Sequence, residues 1–192
     1  MNKKTFFLVI GIIGGVLLTS LLYFAFMFFV AFGGLNFLIP VPKPEVTHGE
    51  IPFQLTYEIN GETKVIEDTI VCEFDGFIVE GENGKYRKWK TSLKNGNERL
   101  TLLDLRPLNE INEFGQTMLE LYFYYGTAAY YMGDNTNPFA RDAQGFDYVS
   151  YEFQTADGKT GKSGYEAEEA YEKYKIRLIN WECAPPIENT FR

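Results

Sequence analysis

Charged side chains are missing from the longest apolar stretch of this 192-residue chain, since none occurs from Thr5 to Pro42. Residues 6–32 are mostly aliphatic or phenylalanine, and about 20 such residues suffice to cross the core of a bilayer. A secretory signal peptide would have a shorter apolar region, about 7–15 residues, followed by a cleavage site. We therefore predict an uncleaved transmembrane helix over residues 6–32, with cleavage near Ala31-Phe32-Gly33 as the alternative.

The charges that flank this segment predict its orientation. Lys3 and Lys4 precede it, whereas Lys43 alone follows it closely. The positive-inside rule then keeps residues 1–5 in the cytoplasm and sends the remainder across the cell membrane. Residues 33–49 carry glycines and three prolines, which predicts a short Gly/Pro stalk. Gly11 and Gly15 have the small-xxx-small spacing that allows two helices to pair as a homodimer.

Histidine and cysteine are scarce, which narrows the chemistry. His48 is the one histidine and precedes the first predicted strand, so a histidine-based catalytic site or a multi-histidine metal site is disfavoured. Cys72 and Cys183 are the two cysteines. Outside the cytoplasm they could form a disulfide, and the alternative is two separately buried thiols.

Carboxylates are numerous but form no recognisable catalytic pair. Glu67-Asp68, Asp104 and the acidic cluster at 166–169 are candidates for glycoside hydrolysis, yet neighbouring acids on a strand point to opposite faces. The oxygen-rich loop from Gly133 to Asp147 departs from the calcium-loop spacing, and turn chemistry explains the same residues. We predict a protein that is not an enzyme and has no metal or cofactor.

Basic residues are also under-represented after the apolar segment. All 26 acidic residues but only 15 of the 18 basic ones lie in residues 45–192, a formal net charge of −11. Nucleic-acid binding requires a basic face and is therefore excluded as the expected function.

Residues 50–192 are predicted to form one β-rich extracytoplasmic domain. Apolar side chains alternate with polar ones from Phe53 to Ile59, and five Asn-Gly or Asp-Gly pairs supply turn residues. Ser163 and Glu166 have capping-box spacing before a short amphipathic helix. About seven strands and one C-terminal helix predict a mainly β (α+β) fold, an antiparallel β-sandwich or a partly open barrel.

Aromatic and basic side chains offer a candidate interaction surface. Consecutive aromatics on a strand alternate between its two faces, so one set is expected to be exposed. A short basic segment with two aromatic residues interrupts the acidic domain between residues 85 and 90. The predicted surface consists of Tyr86, Lys88, Lys90, Tyr122, Tyr124, Tyr130 and Tyr131.

Four segments, residues 53–62, 84–89, 130–134 and 181–191, are similar to uncharacterised single-span proteins of Gram-positive bacteria. This resemblance implies a location in the bacterial cell envelope and no particular activity. We predict a bitopic membrane protein that presents a binding or interaction domain to a protein or envelope polymer. The alternatives are an accessory subunit of a larger membrane complex and a cell-envelope hydrolase that uses carboxylates or a lone thiol.

Overall fold

A computed structural model gives the fold and describes residues 2–31, 40–80 and 83–192. The helices of these ranges are α1 (Lys3–Ala31), α2 (Ala128–Tyr131) and α3 (Ala167–Tyr174), with a 3-10 turn at Arg106–Leu108. The strands are β1 (His48–Ile59), β2 (Glu62–Glu80), β3 (Gly84–Leu93), β4 (Leu100–Asp104), β5 (Thr117–Phe123), β6 (Tyr148–Gln154), β7 (Thr160–Glu166) and β8 (Ile176–Cys183). The chain divides into two compact units, Met1–Pro42 with Phe77–Tyr86, and Lys43–Gly76 with Arg87–Arg192.

The first unit contains the apolar helix. α1 has 29 residues, and its Gly11–Val30 stretch has a mean hydropathy of 2.2 with none of it buried. The Ser20 hydroxyl donates a 2.8 Å hydrogen bond to the Val16 carbonyl, so this polar side chain is satisfied within the helix. Among the described residues α1 alone is long and apolar enough to cross a bilayer, as a membrane anchor or a signal sequence. Pairing through Gly11 and Gly15 stays a prediction.

The strands of the second unit belong to two four-stranded antiparallel sheets. The first sheet has the order β3-β2-β1-β8, and the second has the order β4-β5-β6-β7. β1 and β2 pair continuously from His48↔Glu73 to Ile59↔Glu62. Asn60 and Gly61 join them, and both have the positive φ angles, 54° and 80°, of a tight hairpin turn.

The hydrophobic core lies between the inner faces of these sheets. Trp181 of β8 packs against Phe53 of β1 with ring centroids 4.8 Å apart. The same indole packs against Phe123 of β5, in the other sheet, at 4.9 Å. Leu55 and Leu121, which belong to different sheets, are both fully buried in this core. The mainly β, antiparallel fold with a short C-terminal helix and an N-terminal apolar helix is therefore confirmed.

Strand β7 and the start of α3 differ from the prediction. Ser163 is not a helix cap: it lies within β7 and pairs with Tyr151, and α3 begins at Ala167 after the N-cap residue Glu166. β7 has the sequence TGKSGYE and lacks apolar alternation. At Gly164 an added Cβ would meet the ring of Tyr148, so the glycine leaves room for an aromatic side chain on the neighbouring strand.

Part of the predicted stalk belongs to the folded unit. The backbones of Lys43 and Arg192 exchange two hydrogen bonds, of 2.8 and 3.0 Å. The Asn189 side chain binds the backbone N–H and C=O of Val46 at 3.0 and 2.8 Å. The C-terminal segment thus fixes residues 43–46, whereas the stalk residues 33–39 lie outside the described ranges.

Candidate binding cleft

The predicted interaction residues separate into buried and accessible groups. Tyr131 is fully buried, with its hydroxyl donating to the Tyr125 carbonyl at 2.6 Å, and Tyr122 is only 8% exposed. Tyr131 is therefore not part of an exposed surface, and Tyr122 presents only a small part of its side chain to one. The aromatic residues 122–125 do not alternate along a single strand, because β5 ends at Phe123 and the chain then continues toward α2.

Accessible members of the set lie on β3 and after β5. Lys88 and Lys90 are exposed, and the Lys88 ammonium pairs with Asp75 at 2.5 Å. Tyr86, Tyr124 and Tyr130 are half-buried. The Tyr86 hydroxyl donates to the carboxylate of Glu80 at 2.5 Å.

Three of the predicted residues, Lys90, Tyr122 and Tyr124, line one cleft of about 710 Å3. Residues 90–92 of β3 form one side, and residues 122–126 at the end of β5 form another. Arg99, shortly before β4, and Lys162 of β7 complete the lining on the side of the second sheet. The volume is within the range of about 300–1,000 Å3 that is typical of ligand sites.

Arg99 is held in place by two carboxylates from neighbouring strands. Its Nη1 donates to Glu120 Oε1 at 2.7 Å and its Nη2 to Glu152 Oε1 at 2.7 Å, and a second bond reaches Glu152 Oε2. The guanidinium lies 5.3 Å from the ring centroid of Tyr122. The hydrogen bond from Arg99 lowers the pKa of Glu152, which keeps this carboxylate ionised and the guanidinium plane fixed.

Tyrosine hydroxyls in the cleft wall are neutral donors. Burial raises the pKa of Tyr124 and raises that of Tyr125 to about 12. The Tyr125 hydroxyl donates to the backbone carbonyl of Glu98 at 3.1 Å. This contact fixes the connection between β3 and β4 against the end of β5, so two distant parts of the sequence form one wall.

Gly126 allows the chain to leave β5 at this wall. Its φ angle is +89°, and an added Cβ would lie 2.9 Å from the backbone oxygen of Arg141. Directly after it, the Thr127 hydroxyl accepts from the backbone N–H groups of Tyr130 and Arg141, at 3.5 and 3.0 Å, and caps α2. The positive φ angle and the close backbone approach at Gly126 therefore position Tyr124 and Tyr125.

A second polar cluster is buried and does not line the cleft. Asp134 is fully buried and accepts from Arg87 Nε at 2.7 Å, Arg87 Nη2 at 2.5 Å and Trp89 Nε1 at 2.9 Å. Burial acts to raise the pKa of Asp134, but the hydrogen bonds from Arg87 and Trp89 outweigh it and hold the pKa below its usual range. In the loop considered for calcium, this carboxylate therefore serves as the partner of Arg87.

The two cysteines are free thiols on strands that are not neighbours. Cys72 on β2 lies opposite Gly49 of β1, and Cys183 on β8 lies opposite Phe53 of the same strand. β1 therefore lies between the two cysteines. A disulfide requires Cα atoms less than about 7 Å apart, and two residues on opposite sides of a strand do not meet this requirement. The two cysteines are therefore not bridged in this fold, and they differ in burial: Cys72 is buried, whereas Cys183 is only partly buried. Burial raises the pKa of Cys72 to about 12, so this thiol is a poor nucleophile.

The remaining catalytic candidates are dispersed. His48 is exposed at the start of β1, 4.0 Å from Glu50 and from Glu73. Glu67 accepts a 2.6 Å hydrogen bond from Gln54 on the outer face of β1–β2. Asp104 pairs with Arg106 at 3.3 Å, and the acidic residues at 166, 168 and 169 are exposed around the start of α3. Within residues 2–31, 40–80 and 83–192, no three His, Cys, Asp or Glu side chains are placed to hold a metal ion.

Sequence reasoning missed Arg99 and Lys162 as part of the cleft. They are separated from Lys90 by 9 and 72 positions, and no motif in the sequence connects the three residues. No protein family matches the chain, and neither curated proteins nor solved structures show significant similarity to it.

Proposed function

We propose that the chain is a single-span membrane protein whose β-rich domain binds a ligand outside the cytoplasm, in the cleft lined by Lys90, Arg99, Tyr122, Tyr124 and Lys162. The anchor part of this proposal rests on α1 and on the lysines that precede its apolar stretch. The single observation that carries the binding part is the cleft itself, because it combines aromatic walls with a fixed guanidinium and exposed cations.

Rigid walls favour binding over catalysis at this site. Arg99 is fixed by Glu120 and Glu152, and Tyr125 fixes the β3–β4 connection, so little ordering is needed when a ligand enters. Glu120 and Glu152, which are not among the described lining residues of the cleft, are both engaged by Arg99. Glycoside hydrolysis uses an acid and a base about 5–10 Å apart. Among the described residues, Glu98 is the one carboxylate that lines the cleft, so these residues provide no such pair there.

A photocrosslinker placed at Ser92, on the β3 wall, tests this function in intact cells. p-Benzoylphenylalanine at this position is expected to give a light-dependent adduct of increased mass. The matched control carries the same residue at Lys159, an exposed position in the turn between β6 and β7. The same adducts from both positions, or none from Ser92, would contradict ligand binding in the cleft.

A further inference from the structure

Two lysines in the cleft lining differ from Lys88 in forming no ion pair. Lys90 and Lys162 are exposed and form no ion pair or hydrogen bond with the described part of the chain, and each interacts with a carboxylate, Asp75 and Glu152 respectively, through charge attraction at longer range. By contrast, Lys88 pairs with Asp75 at 2.5 Å. In a domain with a large excess of acidic residues, two cations that line one concavity and form no ion pair create a local site for an anion.

The cleft also presents surfaces suited to a sugar ring. Tyr124 provides a half-buried aromatic face in the wall, where the C–H face of a pyranose can pack. Arg99 uses three of its five N–H groups on Glu120 and Glu152, and the other two make no hydrogen bond with the described residues. Planar donors held in a fixed orientation match pairs of adjacent sugar hydroxyls.

On this basis, and as an extension of the proposed function, we infer that the ligand is an acidic saccharide. A sugar ring packs on Tyr124 with its hydroxyls toward Arg99. Its carboxylate or phosphate lies between Lys90 and Lys162. The negative charge of the domain elsewhere restricts such a ligand to the cleft, because anions are repelled from the remaining surface.

Calorimetric titration of the full chain in detergent micelles tests this inference. The probes are trigalacturonic acid, its neutral methyl ester, galactose 6-phosphate, and tricarballylate, which is a tricarboxylate without a ring. We expect trigalacturonic acid or galactose 6-phosphate to bind at least about tenfold more tightly than the ester and tricarballylate, because each control lacks one of the two contacts. The preferred one of the two acidic sugars identifies the anion as carboxylate or phosphate.

Substitutions of the lining residues test which side chain contacts the anion and which contacts the sugar ring. Lys90→Gln and Lys162→Gln are each expected to weaken binding of the acidic sugar about tenfold. Lys88→Gln removes the same charge from the same strand outside the cleft, and should change the affinity less than about twofold. Tyr124→Leu should weaken the acidic sugar and leave the weak binding of tricarballylate unchanged, with thermal unfolding confirming that the variant is folded.

Three results would overturn the inference: equal affinity for the methyl ester, equal affinity for tricarballylate, or an equal loss in Lys88→Gln and Lys90→Gln. Absence of binding by both acidic sugars would overturn it as well. None of these results affects the crosslinking test at Ser92, which reports whether the cleft is occupied in cells by any ligand. The failure of the saccharide assignment and the failure of the proposed function are therefore distinguishable.

Discussion

The buried pair Arg87–Asp134 gives a prediction whose size can be derived from the structure. Arg87 is 5% exposed and Asp134 is fully buried, and Trp89 also donates to this carboxylate. Asp134→Asn keeps the shape but removes the negative charge that accepts two hydrogen bonds from the buried guanidinium. Loss of one partner of a buried pair costs about 3–5 kcal/mol. For a domain of this size that cost corresponds to a decrease in Tm of about 6–20 °C.

Thermal unfolding of the full chain in detergent, followed by circular dichroism, measures this effect. Asp157→Asn is the matched control, because Asp157 and Lys159 form an exposed pair at 2.7 Å whose loss should cost less than about 1 kcal/mol. The double variant Arg87→Leu/Asp134→Leu removes both charges, and it should be more stable than Asp134→Asn. A change in Tm below about 2 °C for Asp134→Asn would refute the reasoning.

The same pair predicts the direction of the pH dependence. The pKa of Asp134 is lower in the folded protein than the value of about 3.9 for an unfolded chain. Its contribution to stability is therefore complete above the unfolded pKa and is lost as the pH falls through the folded pKa. Acid unfolding curves of the parent chain and Asp134→Asn should converge at low pH. Curves that stay parallel down to about pH 2 would contradict this assignment.

Three further predictions concern the cleft wall, the core and the anchor. Gly158 has a φ angle of +83° and open space around it, so Gly158→Ala should lower the free energy of unfolding by about 1 kcal/mol through backbone strain, as measured by chemical unfolding. Gly126→Ala should lower it clearly more, because the added Cβ would also meet the Arg141 carbonyl. Equal costs would contradict the close approach. Tyr131→Phe should destabilise by about 1 kcal/mol in the same assay, since the buried Tyr125 carbonyl loses its donor, and an unchanged stability would contradict that bond. Replacing α1 by an unrelated span should preserve crosslinking from Ser92, whereas its loss would favour the accessory-subunit alternative.

Sequence patterns predicted the elements that depend on local chemistry. Alternation from Phe53 to Ile59 identified β1, and Asn60-Gly61 identified its turn, because period-two burial and positive φ angles are encoded by adjacent residues. β7 was missed because glycines at 161 and 164 accommodate rings on β6, and that reason exists only after the strands pair. Asp75-Gly76 has turn composition but lies inside β2.

The candidate site was less predictable because its parts are distant in sequence. Arg87 and Asp134 are 47 positions apart, and Arg99 and Glu152 are 53 apart. Nothing in the spacing of these residues indicates their pairing. The basic segment around Lys90 and the aromatic run around Tyr124 were recognised, but only the fold distinguishes Tyr124 in the cleft wall from Tyr131 in the core.

Labelling with a membrane-impermeant maleimide on intact cells tests the extracytoplasmic placement of the domain most directly. Asn95→Cys puts an accessible thiol in the exposed turn between β3 and β4, in a Cys183→Ser background. Cys72 can remain, because it is fully buried. The background without Asn95→Cys is the control for residual reactivity, and lysed cells give the maximum signal. Labelling of intact cells at the level of lysed cells is the predicted result. Labelling of Asn95→Cys only after lysis would contradict an extracytoplasmic binding domain.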